Sequence, residues 1–105
     1  MKKYKIVVFV PVNHTETVLA AMGNAGAGVI GNYTNCSFSS RGTGRFLPNN
    51  DAKPFIGELG KSQQVEEDRV ELQCNEDKID KVLLALKSAH PYEEVAYDIY
   101  LLEDL

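Results

Sequence analysis

The residue types that do chemistry crowd into one stretch, HPYEEVAYDIY at residues 90–100, which holds a histidine, three acids and three tyrosines. Imidazole and carboxylate are the usual ligands of divalent metals and the usual carriers of protons in catalysis. A metal site here would use His90 with Glu93 or Glu94. A specific site needs further ligands at fixed spacing, and the other histidine, His14, is not so placed. Each residue also has a structural assignment. His90 would end a helix, where a cationic imidazole meets the carbonyl end of the helix dipole. Pro91 would stop that helix, and Tyr92 would fold its ring over the last turn. Glu93 and Glu94 would open a strand, where acids discourage unwanted edge pairing. The metal reading names His90 and Glu93, and a divalent ion is the only cofactor the sequence suggests.

A second cluster is SRGTGRF at residues 40–46. Arg41 and Arg45 flank Gly42 and Gly44; glycine lets backbone amides approach an anion and arginine grips it, and Lys53 would add charge. The competing assignment pairs these arginines with nearby acids, Glu66, Glu67 and Asp68. Gly60-Lys61-Ser62 has the ending of a phosphate loop, but Phe55 stands where that loop needs glycine, and a strand rather than a helix follows. No serine or cysteine has a histidine and an acid in a recognisable nucleophilic pattern, so no catalytic residue is named. Cys36 and Cys74 read as small buried hydrophobes, with a redox pair as the alternative if they lie on neighbouring strands.

These residues must be positioned by the elements around them. KYKIVVFVPV, residues 3–12, is rich in β-branched residues and carries bulk on both faces: Tyr4, Ile6, Val8 and Val10 on one, Lys5, Val7 and Phe9 on the other. A helix follows, capped by Asn13 or Thr15, with Val18, Leu19, Met22 and Ala25 on one face. NYTNCSFS, residues 32–39, reads as a second strand, and residues 40–63 as a long loop with four glycines and two prolines. QVEEDRVELQC reads as a third strand with Val70, Leu72 and Cys74 inward. Asp77 caps a second helix that presents Ile79, Val82, Leu83 and Leu86, and EEVAYDIYLL is the last strand. The order βαββαβ with right-handed crossovers predicts an α+β, ferredoxin-like fold: a four-stranded antiparallel sheet with two helices on one face. Val7, Phe9, Ala96 and Tyr100 then fall on the helix-free face, where sister copies would cover them.

HPYEEVAYDIY, together with GTGRFLP, AKPFIGELG and VEEDRVE in the same order, resembles the insert domain of the YqfO family of dinuclear-metal proteins; a related HPYE begins the last strand of CutA. The resemblance spans nearly the whole chain. It implies a PII/CutA-like domain and a homotrimer, and it places the family's metal ligands and hydrolase chemistry in domains flanking the insert. The expected function is therefore a non-enzymatic, trimeric ligand-binding or regulatory module. Its site would be a cleft between subunits, built from Arg41, Gly42, Gly44, Arg45 and Lys53 of one chain and Tyr92, Glu93 and Glu94 of another. The ligand would be a small anion, a metabolite or a metal ion. A divalent-metal-binding protein resembling CutA, or an accessory subunit of a YqfO-type hydrolase, are the alternatives.

Bulk properties agree with a single domain of 105 residues with 44% hydrophobic and 25% charged residues. A net charge of −4 argues against a nucleic-acid partner. No apolar run reaches the length of a membrane span. Two cysteines and an N-terminus without a cleavage signal predict a reducing, cytoplasmic setting.

Overall fold

The computed structural model describes all 105 residues. The strand β1 (Lys3–Pro11) leads into helix α1 (Thr15–Asn24), then β2 (Phe38–Phe46), β3 (Gln63–Asn75), helix α2 (Ile79–Ala89) and β4 (Tyr97–Leu102). The strands pair in the order β2-β3-β1-β4, and every pair is antiparallel. This is the ferredoxin-like α+β arrangement that the element order predicts.

The core lies between the sheet and the helices. Ile6, Val8 and Val10 from β1 meet Val70, Leu72 and Cys74 from β3, Val18 and Met22 from α1, and Val82 and Leu86 from α2. Period two in the strands and period 3.6 in the helices bring these side chains to one layer. Each large aliphatic side chain buried there contributes about 1.5–3 kcal/mol relative to exposure.

Three local expectations need correction. The second strand is Phe38–Phe46, not residues 32–39, and so takes in the SRGTGRF segment read as loop. Nearly every residue of β2 is exposed, so the alternation that marks a half-buried strand is missing. Residues 30–36 form a turn in which Ile30 bridges Tyr33 and Asn35 takes a positive φ of 56°. Neither helix has a side-chain cap. Short 3₁₀ turns at Val12–His14 and Glu76–Lys78 lead into α1 and α2, and the Thr15 hydroxyl is engaged elsewhere. The last strand begins at Tyr97, four residues later than expected, and Glu93 and Glu94 lie in the bend before it.

Gly28 ties the connection between α1 and β2 to the sheet. Its N–H donates to the Gln73 carbonyl at 2.7 Å, and its carbonyl accepts from the Cys36 N–H at 2.8 Å. With φ +82° and Cys36 backbone atoms where a Cβ would stand, only glycine fits. Cys36 and Cys74 are both free thiols. Cys36 precedes β2, and burial pushes the Cys74 thiol pKa up, with Asp77 adding to the shift.

The β2–β3 hairpin overhangs the rest of the sheet. Pairing of β1 with β3 ends at Pro11↔Glu67, whereas pairing of β2 with β3 continues to Phe46↔Gln63. The molecule is accordingly elongated, 46 × 25 × 23 Å. No helix is long and apolar enough to cross a membrane.

Candidate ligand-binding site

The turn after α2 is built by His90. The imidazole is 6% exposed, and both ring nitrogens are committed. Nε2–H donates to the Phe9 carbonyl at 2.7 Å, and Nδ1 accepts the Tyr92 backbone N–H at 3.1 Å. Burial pushes its pKa below the ordinary value, only partly offset by the Phe9 hydrogen bond and the Glu67 charge. His90 is thus a neutral strut between β1 and the α2–β4 turn, not the dipole-stabilising cation the sequence suggests. Its lone pair is turned to Tyr92 rather than to Glu93, whose Oε1 accepts the Lys53 backbone N–H at 2.8 Å. The two residues of the metal reading are thus engaged with different partners, and no group of three His, Cys, Asp or Glu side chains is placed to hold a metal ion.

Tyr92 points across to the overhanging hairpin, rather than over the last turn of α2. Its hydroxyl donates to Glu67 Oε2 at 2.8 Å. Burial first, and then that hydrogen bond, raise the phenol's pKa further above its ordinary value, so it stays a donor. Its ring contacts His90, Phe46 and Phe55 at centroid distances of 4.9, 6.1 and 6.4 Å. Phe55 in turn meets His14 edge-on at 5.6 Å, and His14 Nδ1 is buried without a hydrogen-bond partner.

The arginines separate. Arg41 lies on the helix-side face of β2, where Nε donates to Asp68 Oδ1 at 2.8 Å and a terminal nitrogen to Glu66 at 2.9 Å. Asp68 also accepts the Thr15 hydroxyl at 2.7 Å. Those hydrogen bonds, Arg41's first, hold its carboxyl below the usual carboxylate range. Arg41 is therefore engaged in ion pairs, as the competing sequence assignment has it. Gly42 borders open space, while the Glu67 carboxylate occupies the volume a Cβ on Gly44 would need. Lys61 pairs with Glu58 at 2.8 Å, away from any phosphate-loop geometry.

Arg45, Tyr92, Glu93 and Glu94 do come together. With Phe46, Pro48, Phe55 and Glu67 they help to line a cleft of about 490 Å³ between residues 45–56 and the turn before β4. The sequence reading expects these two segments to meet between chains; here they meet within one chain. Phe46, Phe55 and Glu67 are the site residues that sequence reasoning misses. An aromatic in an aperiodic segment carries no direction, and Glu67 turns towards Tyr92 only once the β2–β3 register is known.

The helix-free face is mixed rather than uniformly apolar. Val7 is 1% exposed within its own chain, beside a charged set in which Lys5 across the strands and Arg69 along β3 pair with Glu71 at 3.3 and 3.4 Å. Arg69 stands 6.0 Å from the Phe9 ring centroid. Ala96 is exposed, Tyr100 is 49% exposed and Phe38 68%. Phe38 is opposite Glu71 and so belongs to this face, not to the face of Cys74.

No family model matches the chain. It is 52% identical over 97 residues to the "GTP cyclohydrolase 1 type 2 homolog" of Halalkalibacterium halodurans, a match that takes in 92% of the chain and 26% of that protein. The chain thus spans about a quarter of the length of the curated relatives it matches. A Bacillus cereus protein related to NIF3 superposes on 98% of the chain and 26% of its own, with a TM-score of 0.84 and 50% identity. The periplasmic divalent cation tolerance protein CutA of Archaeoglobus fulgidus aligns over 97% of this chain and 85% of its own, with a TM-score of 0.70 and 14% identity. GlnK of Bacillus subtilis gives 0.65 over 97% of this chain and 86% of its own, also at 14% identity. The fold is that of the CutA and PII-like ferredoxin-like proteins, carried by a sequence whose near relatives are the much longer cyclohydrolase homologues.

Proposed function

We propose that this chain is a non-catalytic binding or regulatory module of the PII/CutA-like kind, equivalent to the insert domain of YqfO-type proteins, and that it works as a homotrimer. The observation that carries the reading is the cleft where residues 45–56 meet Tyr92, Glu93 and Glu94. An aperiodic segment held over a rigid sheet is the kind of element that ligands order. The polar groups nearby hold structure: His90 braces β1, Tyr92 anchors Glu67, and Glu93 fastens the backbone of Lys53. A ligand in the cleft would alter the tilt of the overhanging hairpin, and with it the surface shown to a partner. The exposed aromatics Phe38 and Tyr100, beside Phe9, support burial of the helix-free face between copies.

The test joins light scattering with chemical-shift mapping. Light scattering should give about three times the 11.6 kDa chain mass. A panel of nucleotides, amines, organic acids and divalent metal salts should include a member that shifts the amides of residues 45–56 and 92–96. A monomer whose cleft amides respond to nothing in the panel contradicts the proposal.

A further inference from the structure

Glu67 is a carboxylate without a cation. The residue is 7% exposed, and no lysine or arginine pairs with it. Its one hydrogen bond comes from Tyr92, to Oε2. Oε1 lies over Gly44, receives no protein donor and is not fully enclosed. A carboxylate offers about four acceptor positions, so this oxygen is open to a donor from a ligand in the cleft. Three cations on these strands and the following loop are paired elsewhere: Arg41 with Asp68 and Glu66, Arg69 with Glu71, Lys61 with Glu58; Arg45, which lines the same cleft, pairs with no carboxylate.

The surroundings specify what such a ligand would be. Glu67 lines the cleft together with three aromatic rings, those of Phe46, Phe55 and Tyr92. Ring faces attract cations and cover aliphatic carbon. Asp51, Glu93 and Glu94 add three further carboxylates, against Arg45 as the one cationic side chain. An anionic ligand would meet net repulsion. A bare metal ion would find carbon on most sides and no converging set of ligands. The volume of about 490 Å³ suits a small molecule.

We infer that the cleft takes a small organic cation, a guanidinium or primary ammonium on a short aliphatic stem, with Glu67 as its counter-charge and the rings of Phe46, Phe55 and Tyr92 against its stem. The inference rests on the cleft being the ligand site proposed above, and it names the class of that ligand. Glu93 holds the loop through Lys53, while Glu94 makes no hydrogen bond or ion pair and is free to attract the cation at the rim.

The test is titration of isotope-labelled protein with agmatine, with N-butylurea as an uncharged analogue and ATP as an anionic probe. Agmatine should saturably shift the amides of residues 45–56 and 92–96, and N-butylurea should not. Glu67→Gln, its fold checked by its amide spectrum, should weaken agmatine by at least about tenfold, as loss of a buried charge partner implies. Phe55→Ala, on an exposed stretch whose truncation spares the core, should weaken it several-fold. Agmatine leaving the cleft amides unmoved, or binding Glu67→Gln as tightly as the parent protein, overturns the inference. Cleft shifts with ATP and none with agmatine would refute the cationic class and leave the site standing. Silence from all three probes counts against both.

Discussion

His90 shows how one buried side chain converts a local signal into a pH response. Its neutral ring donates to β1 through Nε2 and accepts from the α2–β4 turn through Nδ1, so protonation breaks the second bond and places a charge in a buried site. Because its folded pKa lies below the ordinary value near 6.5, the unfolded chain takes up the proton first as pH falls. The stabilisation is complete above that ordinary value and is lost progressively below it. Glu67 opposes the shift and His14 reinforces it. Urea midpoints measured from pH 7 to pH 5 should therefore fall. His90→Gln should flatten that limb while lowering stability at pH 7 by about 1–3 kcal/mol, because the Phe9 carbonyl and the Tyr92 amide are then imperfectly paired. A variant as acid-sensitive as the parent would place the response elsewhere.

At the scale of elements, the legible parts of the sequence are those whose burial leaves an apolar pattern. β1 is a run of β-branched residues buried on both faces, β3 alternates around Val70, Leu72 and Cys74, and both helices present an apolar stripe, so their positions could be read directly. β2 could not, because it is an edge strand exposed almost throughout and interrupted by Gly42 and Gly44. The site suffered the same fate: Tyr92, Glu93, Glu94 and Arg45 were nameable from their types, whereas the role of Glu67 depends on a register that no local pattern encodes. The two glycines make a matched experiment. Gly44→Ala places a methyl where the Glu67 carboxylate lies, and should cost about 0.5–1.5 kcal/mol by moving that carboxylate off Tyr92. Gly42→Ala meets open space and should change stability by no more than about 0.5 kcal/mol. Thermal melts of the two variants side by side check the difference; equal effects would mean that Glu67 is not held in place.

For the whole molecule, the proposed homotrimer depends on the helix-free face. Val7 is already enclosed within its own chain, which leaves Phe9, Phe38 and Tyr100 as the apolar surface available to another copy. In the proposed homotrimer, Phe9→Lys should separate the copies, since a cation buried opposite Arg69 without a partner costs about 3–5 kcal/mol. The expected readout is a fall in mass by light scattering to that of one chain. An unchanged mass with an intact fold would exclude this face from the interface.

The pairing order also constrains how the chain reaches its native state. β1 lies inside the sheet and is flanked by β3 and β4, with Lys3 opposite both Asn75 and Leu102. The first strand thus waits for the last, and only the β2–β3 ribbon can zip up between neighbours in sequence. Contacts this distant close slowly, so acquisition of structure should fall in the range of milliseconds to seconds rather than microseconds, with a preformed arm searching for the strand that completes it.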